Sequence, residues 1–205
     1  VCGMFGCSGG QEQGDTPVPL LPSENECSAM GEQACGEPVQ GELDKWTWFS
    51  VAETQCLDGS STGFGVRLGD EPGKVLMYLE GGGACYNTWS CDNIFASKFG
   101  AEDFGEGKQV GIFNREDEDN PFSTWTHVYI PYCSGDMHSG SVPFGEGYNG
   151  FAHWGYQNIS HYLKRLVPSF KNAERIALVG SSAGGFGVTY NWLRVQRAFE
   201  PVPVD

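Results

Sequence analysis

Long apolar runs, broken by glycine-rich and polar stretches, divide the chain into predicted elements. Lys74-Val75-Leu76-Met77-Tyr78-Leu79 is a continuous apolar run that stops at Glu80 and three glycines. Such a run suits a strand buried on both faces of a mainly parallel sheet. His127-Val128-Tyr129-Ile130-Pro131-Tyr132 and Arg175-Ile176-Ala177-Leu178-Val179 predict two more strands of this kind. Trp46-Thr47-Trp48-Phe49-Ser50-Val51 and Gly63-Phe64-Gly65-Val66-Arg67-Leu68 predict a hairpin, with turn residues at 56–61. Over 154–167, Ile159, Tyr162, Leu163, Leu166 and Val167 recur at helical spacing. A second helix is predicted after Val179, with Val188, Trp192, Val195 and Phe199 on one stripe. Pro201-Val202-Pro203-Val204-Asp205 predicts the start of a further strand. Strands alternating with helices give an α/β class, with a mostly parallel sheet flanked by helices.

The remaining segments lack such periodicity. Residues 1–34 are expected to form a flexible or disulfide-tethered leader, and 35–205 the N-terminal portion of one globular domain. Residues 92–124 are polar and are expected to form a solvated loop, with an acidic stretch at Glu116-Asp117-Glu118-Asp119. A Gly- and Ser-rich loop is expected to follow the His127 strand and run to about Gly150.

Composition narrows the class. A chain of 205 residues can bury a real core, and its 30 glycines follow no repeat period. The formal net charge of −14 argues against a nucleic-acid partner, which requires Lys and Arg clusters. It also disfavours bulk attraction to a polyanionic polymer. No segment has the apolar length of a membrane span. The eight cysteines are Cys2, Cys7, Cys27, Cys35, Cys56, Cys85, Cys91 and Cys133. Their scattered spacing matches no metal pattern, so neither a metal nor another cofactor is expected. Their even count predicts up to four disulfides and hence a secreted, extracellular or periplasmic protein. No charged-then-apolar signal segment is visible, so such a leader is expected to have been removed or left out.

The chemistry points to Val179-Gly180-Ser181-Ser182-Ala183-Gly184-Gly185. G-x-S-x-G is weak as a bare pattern in a Gly-rich chain. Here a buried strand precedes it and an amphipathic helix follows, the context of a nucleophile elbow. In an elbow the serine sits on a strained turn, and the residues two before and two after must lack bulk. Gly180 and Gly184 satisfy that requirement, making Ser182 the candidate nucleophile. The competing reading is a glycine-rich strand-to-helix connection of a nucleotide-binding fold, but the stretch 180–187 contains no G-x-G-x-x-G. Ser181 precedes the apex and is assigned to packing. Acyl transfer also needs donors aimed at the developing oxyanion. The N–H of Ala183 is one candidate. Gly82 and Gly83, at the end of a buried strand, supply the others, against the alternative of a merely flexible turn.

Ordered blocks extend this pattern. They are Cys56-Leu57-Asp58-Gly59-Ser60, Tyr78-Leu79-Glu80-Gly81-Gly82-Gly83-Ala84-Cys85 and Asn120-Pro121-Phe122. Trp125-Thr126-His127-Val128-Tyr129-Ile130-Pro131-Tyr132-Cys133-Ser134-Gly135-Asp136 and Gly180-Ser181-Ser182-Ala183-Gly184-Gly185 follow in order. With these, the sequence resembles the pectinacetylesterase/Notum family of α/β-hydrolases. The resemblance implies an α/β-hydrolase-like fold, Ser182 as nucleophile, Gly82, Gly83 and Ala183 as oxyanion donors, and a Cys85–Cys91 disulfide. A Cys56–Cys133 pair is a separate expectation. Ala84, Tyr86 and Glu80 are candidate pocket residues. The family commonly has Trp where Ala84 stands, so Ala is expected to open the pocket there. It often has Cys where Ser181 stands.

The triad order of this fold is Ser, then acid, then His. After Ser182 there is no His, and the only acids are Glu200 and Asp205. One account makes the chain an N-terminal portion, truncated or one piece of a nicked enzyme, with a C-terminal fragment of the same protein as partner. The other uses His127, His138, His153 or His161 as base; His127 and His161 are expected to be structural or at the surface, whereas His138 and His153 lie in or near loops. Asp136 and Glu80 are expected to orient loops. The expected function is a secreted serine carboxylic-ester hydrolase acting on a polysaccharide or related ester, through an acyl-Ser182 intermediate. The alternatives are a polyester or lipid esterase, acyl transfer to a sugar, and a non-catalytic extracellular binding module.

Overall fold

A computed structural model describes residues 27–31, 35–94 and 96–205. The elements are β1 (Trp46–Val51), β2 (Thr62–Arg67), β3 (Glu71–Leu79), α1 (Thr88–Asp92), α2 (Ala101–Phe104), β4 (Trp125–Ile130), α3 (Gly155–Phe170), β5 (Arg175–Gly180) and α4 (Ala183–Phe199). The strands form one sheet in the order β1-β2-β4-β3-β5. β3 runs parallel to both β4 and β5, while β1–β2 and β2–β4 are antiparallel. The parallel arrangement therefore holds in the half that carries the glycine and serine motifs. The hairpin makes the other edge antiparallel, because a short turn can only reverse the chain. Val204 bridges Ile176 in parallel, so the predicted strand start at 201–205 lies beside β5.

Strand alternation explains the two cores. Val75, Met77, Leu79, Val128, Ile130, Ile176 and Leu178 face α3 and α4. Ile159, Tyr162, Leu163, Leu166 and Val167 of α3 meet them, as the spacing predicts. Leu76, Tyr129 and Ala177 point to the opposite face.

That opposite face corrects the reading of residues 92–124. Phe99, Phe104 and Phe113 from this segment are buried there, with Trp46 and Trp48 packed against them. Trp46 meets Phe104 edge-on at 5.4 Å, and Phe113 meets Tyr78 edge-on at 5.1 Å. The segment is anchored on the sheet by irregularly spaced aromatics, while stretches such as 101–103, 109–111 and 116–119 are solvated. A second correction concerns α4. Trp192 is 43% exposed and donates its indole N–H to Val204 O at 2.9 Å. The buried stripe is Ala183, Gly184, Gly187, Asn191, Val195 and Ala198–Phe199.

Disulfides join Cys27–Cys35, Cys56–Cys133 and Cys85–Cys91 among the described residues; Cys2 and Cys7 lie outside them. The Cys56–Cys133 bond spans 77 residues. Closing a loop of that length contributes about 4 kcal/mol in the chain-entropy account. Of the segment expected as a leader, Ala29 donates to Ala198 O at 2.7 Å, and Cys27 is buried against α3. No described helix is long and apolar enough to cross a membrane.

His127 of β4 is fully buried, with its Nε2 bonded to Phe122 O at 2.7 Å. Burial, with Arg115 and Arg67 adding positive charge, lowers its pKa to about 4. The unfolded chain protonates this imidazole near pH 6.5, but the fold resists until about pH 4. Its stabilising effect is therefore complete above pH 6.5 and lost as the pH falls towards 4. The loss is on the order of 3 kcal/mol. Unfolding free energies from urea titrations at pH 7 and pH 4 are expected to separate by that much more in the parent protein than in His127→Gln. Equal pH dependence in both would refute the assignment.

Candidate active site

The register of β3 against β5 builds the site. Leu79 pairs with Gly180, so both strands end side by side at the same edge of the sheet. Glu80–Gly83 leaves one strand there, and Ser181–Ser182 leaves the other. Parallel α/β sheets place their ligands beyond this carboxyl edge.

Ser182 has φ 52° and ψ −121°, a left-handed conformation costly for a residue with a side chain. It is exposed and immediately precedes α4. Neighbouring glycines permit the turn. A Cβ on Gly180 would overlap Gly184 O, and one on Gly184 would overlap Leu79 O. Both positions predicted to lack bulk are thus backbone-to-backbone contacts. The helix closes at once, with Gly184 donating to Ser181 O at 2.8 Å and Gly185 to Ser182 O at 3.0 Å.

The glycine loop reaches this turn through Gly81, which the sequence did not single out. A Cβ there would overlap Ser181 O and stand 2.9 Å from Ser182 Cβ and 3.1 Å from Ala183 N. Gly83 has φ 91°, with open space where a Cβ would be. The N–H groups of Gly82, Gly83 and Ala183 have no protein acceptor among the described residues. Three donors without intramolecular partners therefore lie in or beside two segments in contact.

Ser181 is held by Tyr78, whose hydroxyl lies 2.8 Å from Ser181 Oγ. Glu80 is tied on every side: its N–H donates to Ile130 O at 2.9 Å, and its carboxylate accepts from Tyr132 N at 3.1 Å. It also borders a cavity of about 300 Å³ with Tyr78, Lys108, Phe113 and Tyr129. Ala84 is half-buried, and Tyr86 is 73% exposed next to α1.

None of the four histidines hydrogen-bonds to Ser182. His127 is bound to Phe122 O, and His153 Nδ1 lies 3.2 Å from Ser134 O. His161 is on α3. His138 is only 2% exposed, and its Nε2 lies 2.9 Å from Glu80 O. A carbonyl can only accept, so that nitrogen carries a proton and is unavailable as a base. Burial lowers the His138 pKa, which favours the neutral ring. Asp136 organises this loop. It accepts from Ser134 Oγ, His138 N, Gly140 N and Gly155 N, the last at the start of α3.

Comparison with known proteins agrees with this architecture. The family described as Pectinacetylesterase matches residues 45–203. The palmitoleoyl-protein carboxylesterase notum2 of Xenopus laevis is 33% identical over 153 residues, covering 71% of this chain and 31% of its own length. The human palmitoleoyl-protein carboxylesterase NOTUM is 33% identical over 153 residues, covering 71% and 30% respectively. A crystal structure of the Wnt deacylase Notum from Drosophila superposes with a TM-score of 0.61 at 30% identity. It covers 75% of this chain and 46% of that one. This chain therefore spans less than a third of the length of these curated relatives.

Proposed function

The chain belongs to the pectinacetylesterase/Notum family, and from that membership we propose that it carries the nucleophile half of a secreted serine carboxylic-ester hydrolase. Ser182 is the attacking residue. The observation that carries this reading is the strained, exposed Ser182 at the β5–α4 turn, with Gly81 packed against it. A binding surface has no use for a backbone conformation of this cost.

A histidine takes the Ser182 proton as Oγ attacks the ester carbonyl carbon. The carbonyl electron pair moves to oxygen, and the N–H groups of Gly82, Gly83 and Ala183 hold the oxyanion. Collapse expels the alkoxide, which takes the proton from the histidine and leaves acyl-Ser182. Water repeats the sequence, releasing the carboxylic acid and restoring the hydroxyl. The histidine and its acid come from a segment outside this chain. Support comes from the carbonyl partners of His127 and His138, and from coverage of only 46% of the Drosophila structure. Three disulfides among the described residues support an extracellular location.

The net charge of −14 favours an uncharged ester, such as an acetylated neutral polysaccharide, over a polyanionic one. The names of the palmitoleoyl-protein carboxylesterase relatives support a second reading, a long-chain acyl ester. Turnover of p-nitrophenyl acetate against a long-chain homologue separates the two. The test of the reaction itself is covalent labelling by a fluorophosphonate in the whole protein. The labelled peptide is expected to carry the adduct on Ser182; an unlabelled Ser182 ends the esterase reading and leaves the binding module.

A further inference from the structure

We propose that Tyr132 and His138 are positioning residues that clamp the two ends of the Glu80–Gly83 loop and so aim the N–H groups of Gly82 and Gly83. This deepens the esterase reading and rests on it. The Glu80 carbonyl is held by His138 Nε2 at 2.9 Å, and the Gly83 carbonyl by Tyr132 Oη at 2.9 Å. A trans peptide is planar, and its N–H points away from its C=O. Holding these two carbonyls therefore fixes the 80–81 and 83–84 peptide planes. Between them lie only the peptides that bear the Gly82 and Gly83 N–H groups. Three consecutive glycines have wide conformational freedom, and two fixed ends remove most of it.

The clamp is itself rigid. Tyr132 is fully buried, and its ring lies 4.9 Å from that of His138. Tyr132 Oη accepts from Met137 N at 2.8 Å, so its proton is directed to Gly83 O. His138 sits beneath α4: a Cβ on Gly187 would stand 2.7 Å from its ring, and Asn191 donates to His138 O at 2.9 Å. The helix that begins with Ala183 thus also seats the clamp. One rigid element registers both sides of the oxyanion site.

The test uses the whole protein with Tyr132→Phe, His138→Gln and His138→Leu. Readouts are kcat and KM on a short p-nitrophenyl ester, affinity for an alkyl boronic acid that forms a tetrahedral serine adduct, and the thermal midpoint. Tyr132→Phe and His138→Leu are expected to lower kcat by about 10- to 100-fold, with a matching loss of boronate affinity. KM is expected to change by less than about threefold. His138→Gln, which keeps an amide donor, is expected to recover most of the His138→Leu loss. A kcat loss that only follows the folded fraction, or a KM rise at constant kcat, overturns the clamp. Tyr132→Phe removes a single hydroxyl and keeps the test decisive if the His138 variants do not fold. Failure of the esterase reading is seen separately, as an unmodified protein that neither turns over ester nor labels at Ser182.

Discussion

Ser182→Ala is expected to lower kcat/KM on short p-nitrophenyl esters by about 10⁴-fold or more, while leaving the unfolding midpoint nearly unchanged. In the proposed mechanism the activity loss follows from removing the oxygen that forms the acyl bond. The unchanged stability follows from the backbone. Alanine at φ 52° carries the same Cβ strain as serine, and among the described residues the Ser182 hydroxyl makes no hydrogen bond whose loss would cost stability. Ser181→Ala is the matched control. It removes only the bond to Tyr78, in an exposed position, and is expected to change kcat/KM by less than about tenfold. Steady-state kinetics and urea titrations of both variants check the pair. Comparable losses in both would shift the nucleophile assignment away from Ser182.

Gly184→Ala is expected to be strongly destabilising, costing about 4–5 kcal/mol or more. The added methyl would overlap Leu79 O and stand 2.7 Å from Leu79 C and 2.9 Å from Glu80 O. All three are backbone atoms at the end of β3, so no side chain can rotate away. Relief requires α4 to move off the sheet, which breaks the packing of Val195 and Phe199. Gly185→Ala, one residue later, meets only Gly180 O at 3.6 Å, an ordinary contact. There the helix-favouring effect of alanine is expected to be neutral or stabilising by up to about 1 kcal/mol. Chemical denaturation of the two variants should therefore differ by about 4 kcal/mol or more. A mild effect at Gly184 would mean that strand and helix do not meet as closely as described.

Much of this fold can be read from the chain because its signals are local. The β3 and β5 runs and the apolar stripe of α3 each carry their own periodicity, and the Ser182 turn lies where the β5 run yields to α4. What escaped depends on contacts between distant residues. Phe99, Phe104 and Phe113 follow no helical or strand period, so their burial against the sheet is set by Trp46 and Trp48 across the fold. Trp192 fits an apolar stripe by spacing, yet Val204 O draws its indole outward. Which glycine of the triple run touches the serine turn depends on the Leu79–Gly180 register, which no single segment encodes. His138 is a loop histidine in sequence; its partner, a carbonyl 58 residues away, gives it its role.

With Ser182 as the proposed nucleophile, its left-handed backbone sets reactivity against thermodynamic robustness. Glycine at that position would relax the turn and raise the melting temperature at the cost of the hydroxyl. Screening variants of this protein for heat resistance alone will thus favour inert ones, and any campaign to improve it has to select for turnover at the same time.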